Sequence, residues 1–157
     1  MLIKTPTCYW LCAGASKANS SLNAFDAALL DAGIGNVNIV KMSSILPPKI
    51  KRISPIKIPE GSLVPAAYAS ITSDTPGELI AAAVAVAIPE DNNLSGLIME
   101  YSGKGSKADV ESIVRRMCKE GMDIRGRAIK SIESMSVEIK VEEGLSSAAF
   151  AAAVLWE

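Results

Sequence analysis

Two long apolar runs built almost entirely from small side chains constrain this 157-residue chain more than anything else. They are "LIAAAVAVAI" (79–88) and "SAAFAAAVLW" (147–156). Each is far shorter than the roughly 20 apolar residues of a membrane-spanning helix. The alanines of the first are compatible with a helix, but the alternation of Val84, Val86 and Ile88 reads as a strand. Aromatic residues make up only 4% of the chain while 49% is apolar, so Ala, Val and Ile must fill the core. Side chains of that size favour thin, closely packed layers over a core assembled around large rings. The length suits one domain spanning 1–157, with no internal repeat or low-complexity tail.

The remaining pattern supplies the layers. "CYWLCAG" (8–14), "NVNIVKM" (36–42), "SLVPAAYASITS" (62–73), "LSGLIMEYSG" (94–103) and "AIKSIESMSVEIKVE" (128–142) read as strands, Pro65 marking an edge or a bulge. Residues 20–35 read as a helix capped by Ser20 or Ser21, with Leu22, Phe25 and Leu29 on one face and Gly33 ending it. Residues 106–121 read as a second helix. Ser106 caps it, Asp109 takes the capping-box position, Val110, Ile113, Val114 and Met117 form its stripe, and Gly121 ends it. Two separated helices and about six strands imply an α+β fold in which each helix covers one of two packed sheets. Four prolines between Pro47 and Gly61 mark an exposed connection, and its "KIKR" (49–52) reads as a solvated loop.

Composition closes off several chemistries. There is no histidine, which removes His-based triads, His general bases and the usual zinc sites, and no metal is expected. Cys8, Cys12 and Cys118 are too few and too scattered for a disulfide framework. Sixteen basic and seventeen acidic residues give a net charge of −1, with no broad field to attract nucleic acid. "GIGN" (33–36) is neither a dinucleotide fingerprint nor a P-loop. The N-terminus, broken by Pro6, is a poor signal peptide. A cytoplasmic protein, bound to neither membrane nor nucleic acid, is expected.

Three features could carry chemistry. Ser43-Ser44, in "KMSSILPP" (41–48), is either a turn before prolines or the site of an N→O acyl shift. In the second case Ser44 Oγ attacks the Ser43 carbonyl, and β-elimination of the resulting ester leaves dehydroalanine at residue 44. Hydrolysis then gives a pyruvoyl group and ammonia. This route needs a strained peptide and a donor for the developing oxyanion, but no histidine. Glu100 is the lone acid in "GLIMEYSG": either a buried proton donor with a raised pKa, or a strand-end acid facing water. Asp26 lies on the first helix and faces either a pocket or solvent.

The blocks "LNAFDAALLDAGIGNVNIVKMSSILPP" (22–48), "GSLVPAAYASITSDTPGELIAAAVAVAIP" (61–89), "LSGLIMEYSGKGSK" (94–107) and "SAAFAAAVLW" together resemble the pyruvoyl-dependent arginine decarboxylases. The resemblance implies cleavage between Ser43 and Ser44, giving a small chain 1–43 and a large chain 44–157 headed by a covalent pyruvoyl group. It places the catalytic acid at Glu100 and the guanidinium-binding carboxylate at Asp26. Asn38 falls in the cleavage or substrate site, and Ser43 lines the substrate site. The implied reaction converts L-arginine to agmatine and CO₂ through a Schiff base, feeding polyamine synthesis. The implied fold is a four-layer αββα sandwich, assembled as a trimer or dimer of trimers with active sites between subunits. A pyruvoyl decarboxylase of another amino acid, or a non-catalytic oligomeric protein, are the competing readings.

Overall fold

The computed structural model describes residues 4–157. In chain order its elements are β1 (Cys8–Ala18), α1 (Ser21–Asp31), β2 (Asn38–Lys41), β3 (Ile45–Leu46), β4 (Lys51–Arg52), β5 (Leu63–Ser73), β6 (Leu79–Pro89), β7 (Gly96–Lys104), α2 (Lys107–Ile124), β8 (Ile129–Lys140) and β9 (Ser146–Trp156). The strands form a five-stranded sheet ordered β2-β5-β9-β1-β4 and a four-stranded sheet ordered β3-β7-β6-β8. Helix α1 packs on the first sheet, α2 on the second, and the sheets pack on each other, as an αββα sandwich.

The two alanine-rich runs are interior strands, one in each sheet, and both their faces are covered. Along β9, Ala149, Ala151, Ala153 and Leu155 enter the space between the sheets, while Ala148, Phe150, Ala152 and Val154 turn to α1. Along β6, Ala82, Val84 and Val86 point to the centre, and Ala81, Ala83, Ala85 and Ala87 meet α2. A strand buried on both faces has no polar side, so an antiparallel strand here reads as a continuous apolar run. Small side chains on the outer faces let the helices approach closely. Most of the few large rings cluster under α1, where Phe25 meets Phe150 edge to face at 6.0 Å between centroids, while Tyr9 lies between the sheets.

Helix ends follow the sequence at three of four places. Ser20 and Ser106 accept from the backbone N–H groups of Asn23 and Asp109. After α1, Gly33 sits at φ 83°, with Gly33 N–H donating to Leu30 O and Ile34 N–H to Leu29 O in a Schellman motif. Helix α2, however, runs past Gly121 and stops at Gly126, φ 63°. Gly121 is instead a packing residue: a Cβ there would lie 2.3 Å from Leu97 Cδ2. The buried stripe of α2 is accordingly Val110, Val114, Cys118 and Met122, with Ile113 and Met117 at its margins. On α1 the buried residues are Ala24, Ala28 and Leu29, and Leu22 is 76% exposed.

The connection after Pro47 is more structured than its prolines suggest. Lys51-Arg52 of "KIKR" pairs in parallel with Cys8-Tyr9, because the outer edge of β1 offers free backbone groups, and Arg52 is 2.9 Å from Glu133. Pro65 precedes the first β5–β9 pair, Ala66–Val154, so its missing N–H costs no ladder bond there. Among the described residues no helix is long and apolar enough to cross a membrane.

Candidate active site

The serine pair lies where the chain changes sheets. Strand β2 runs parallel to β5, and its last tie to the five-stranded sheet is Met42 N–H to Ala66 O, 3.0 Å. Two residues later Ser44 O accepts from Ile98 N–H at 2.7 Å, and Ile45-Leu46 pairs with Leu97-Gly96 of the four-stranded sheet. Ser43 is exposed and Ser44 half-buried. This crossover fixes Ser44 against β7 on one side, while β2 holds the residues just before Ser43 on the other. The one non-glycine residue with positive φ among those described is Lys49, at 59°, so the pair carries no left-handed strain.

Glu100 is two residues along β7 from Ile98, roughly 7 Å for an extended chain, and on the same face. That face is the inter-sheet space, which Ile98 helps to fill and which Ser102 closes by donating to Ser70 O across the gap at 3.0 Å. The Glu100 side chain is 23% exposed. Burial pushes its carboxyl above the ordinary value, and the nearby Lys41 ammonium pulls the other way. Lys41 Nζ is 4.0 Å from Glu100 Oε1, donates to Tyr68 O at 2.6 Å, and sits 4.0 Å from the Tyr68 ring centroid. Ser44, Glu100 and Lys41 thus share one edge of the sandwich.

The other two expected residues are placed elsewhere in the single chain. Asn38 opens β2 and is tied to the turn before β5: its N–H donates to Ser62 O at 2.8 Å and its Nδ2 to Gly61 O at 3.2 Å. Five residues of extended chain, roughly 16 Å, separate it from Ser43. Asp26 is exposed on α1, which covers the outer face of the five-stranded sheet, whereas Glu100 faces the inner one. Lys41 and Tyr68 were not singled out by sequence reasoning. A lysine closing a short strand two residues before the pair was the available signal.

Other polar groups are remote from this edge. Tyr9 OH donates to Glu133 at 2.8 Å beside Arg52, closing the sandwich on its β1–β8 side. A shallow pocket of about 180 Å³, lined by Leu30, Ile34, Asn36, Lys57 and Glu60 among others, lies at the C-terminal end of α1. Burial pushes the Cys12 thiol to about 12 and the Cys118 thiol to about 11, so neither is a ready nucleophile.

Residues 8–157 match the family model of pyruvoyl-dependent arginine decarboxylase. The chain is 53% identical to the pyruvoyl-dependent arginine decarboxylase of Methanocaldococcus jannaschii, over 98% of this chain and 92% of the relative. It is 46% identical to the protein so named in Pyrococcus abyssi, over 97% of this chain and 96% of the relative. Among solved structures it resembles a pyruvoyl-dependent histidine decarboxylase, with a TM-score of 0.53 and 17% identity. That match covers 62% of this chain and spans about half, 52%, of the other, and it speaks to the fold alone. A full-length match to the family model and relatives near half identity establish that this chain belongs to the pyruvoyl-dependent arginine decarboxylase family.

Proposed function

We propose that this chain cuts itself between Ser43 and Ser44 and then converts L-arginine to agmatine and CO₂. The observation that carries the reading is the inter-sheet crossover, which ties Ser44 against the strand of Glu100 in a chain of this family. For cutting, Ser44 Oγ attacks the Ser43 carbonyl carbon and the peptide C–N bond gives way to an ester. Elimination breaks the Ser44 Cβ–O bond, releasing Ser43 as the C-terminal carboxylate of chain 1–43. Water then converts dehydroalanine to the pyruvoyl head of chain 44–157, with loss of ammonia. The Ile98 N–H bond holds the Ser44 carbonyl, and the β2 ladder holds the residues before Ser43.

The residues present fit such a group, since the position is half-buried, against the strand that carries Glu100, whose carboxyl burial pushes upward, and without a competing reactive thiol. A carbonyl there supplies the electron sink that decarboxylation of an amino acid requires and no standard side chain provides. Glu100 supplies the proton to Cα after CO₂ leaves, a role that the upward push of burial on its carboxyl favours. Asp26 accepts from the planar guanidinium fork, Ser43 lines the substrate site, and Asn38 hydrogen-bonds within the cleavage or substrate site.

Because Asp26 and Asn38 are not beside Ser44 in one chain, we infer that they serve a site completed by a neighbouring copy, in a trimer or dimer of trimers. Exposed apolar side chains on α1 and the β2–β5 side, Leu22, Leu30, Val40 and Leu63, support such an assembly. We place the enzyme in the cytoplasm, in keeping with three unpaired cysteines.

Denaturing mass spectrometry tests the first step. Two fragments are expected, the larger without a free amino terminus and lighter than the simple hydrolysis product by one ammonia. Ser44→Ala should stay whole. A wild-type chain that remains intact on incubation would overturn the reading. CO₂ release from arginine, lysine, ornithine and aspartate tests the second step, with arginine expected to dominate.

A further inference from the structure

Lys41 belongs to the small chain of the proposed cut, and Glu100 to the large one. The lysine is 54% exposed along its side chain, yet its ammonium is anchored. Its ammonium donates to Tyr68 O, lies over the Tyr68 ring, and stands 4.0 Å from Glu100 Oε1. The first two contacts, both to β5, hold it whether Glu100 is ionised or not. We propose that Lys41 is a positioning residue for Glu100, a cation fixed by β5 that sets the pH at which Glu100 parts with its proton. The inference rests on the reading of Glu100 as the proton donor.

The charges around Glu100 leave this role to Lys41. From β2 comes Lys41 itself; from β5, the Tyr68 carbonyl that holds it, the Tyr68 ring lying on the other face of the sheet against Phe150; from β6, the opposite residue Val84, which is apolar. Across the sheet, the Cys118 thiol of α2 stays protonated to about pH 11. When Glu100 gives its proton to carbon, negative charge grows on the carboxylate. A cation already immobilised nearby stabilises that charge without reorganising. The same cation favours ionisation, so removing it moves Glu100 titration to higher pH.

Carbon-13 NMR of protein labelled at the Glu side-chain carboxyls reads this directly, with Glu100 assigned by the signal lost in Glu100→Gln. Lys41→Gln keeps a donor for Tyr68 O and removes the charge; its Glu100 midpoint should move to higher pH. Lys41→Arg should restore the wild-type midpoint. An unmoved or lowered midpoint in Lys41→Gln would overturn the inference. Should that variant fail to fold, wild-type protein with lysines dimethylated, which keeps their charge, decides the matter. The Lys41 methyl signal should inflect at the Glu100 midpoint and lose that inflection in Glu100→Gln; no inflection overturns the inference.

In turnover, the alkaline limb of the kcat–pH profile should move upward in Lys41→Gln. The arms separate the two ideas. If wild-type enzyme decarboxylates arginine but the Glu100 midpoint ignores Lys41, this inference fails alone. If the midpoint responds and no agmatine forms, the decarboxylase reading fails and the Lys41–Glu100 coupling stands.

Discussion

Glu100 is exposed enough to exchange protons and buried enough to resist losing one. Its folded-state pKa lies above the unfolded value, with desolvation the main cause. Such a group contributes stability that is whole below the unfolded pKa and is lost as pH rises through the folded one. Glu100→Gln removes that loss. Its melting temperature should match or fall below wild type in acid and gain on it as pH climbs above the carboxylate range, as thermal scans in paired buffers would show. The same variant should be cut normally while losing about 10²-fold or more of arginine decarboxylation, the usual weight of a general acid. Asp26 tests recognition separately from chemistry. Asp26→Asn should leave cutting intact and raise KM for arginine about 10-fold or more, the scale of a lost charge-assisted pair.

Two glycines show how closely helices and sheets meet. A Cβ on Gly14 of β1 would stand 2.3 Å from Ala28 O and 2.6 Å from Ala32 N, both backbone atoms of α1 and its cap. Neither can move without shifting the helix. Gly14→Ala should cost about 2–3 kcal/mol, read as a lowered urea midpoint. Gly121→Ala meets Leu97 Cδ2, the end of a flexible side chain, and gains about 1 kcal/mol of helix propensity. It should destabilise less than Gly14→Ala, even though both glycines lie in crowded layers. The ranking follows from what each methyl would strike.

Across the whole molecule, the proposed cut divides the chain but not the sheets. Strand β1 pairs with β9 over eleven residue pairs, β2 pairs with β5, and α1 packs on both β1 and β9. Tyr9 in the small segment also bonds Glu133 in the large one. Cut protein should therefore run as one species on native gel filtration and separate only in denaturant. Early loss of chain 1–43 under native conditions would contradict this. Sedimentation should report a trimer or its multiple, with Leu22→Asp or Leu30→Asp weakening assembly if α1 lies at the subunit contact.

Caps, turns and apolar periodicity are local, so the sequence alone determined both helix starts, the Gly33 stop and the main strands. Residue type and order also determined that Ser43-Ser44 leaves a strand and that Glu100 is a lone acid in an apolar one. The two-residue strands β3 and β4 had no such signature, since their hydrogen-bond partners lie about 50 and 40 residues away in the chain. Gly121 reads locally as a helix stop, and only contact with Leu97 makes it a packing residue. Which faces of β6 and β9 are buried, and the meeting of Lys41, Ser44 and Glu100 at one edge, came from the tertiary structure. The physical reason is common to all: these features depend on which backbone groups and faces remain free after distant strands have paired, and no local pattern encodes that.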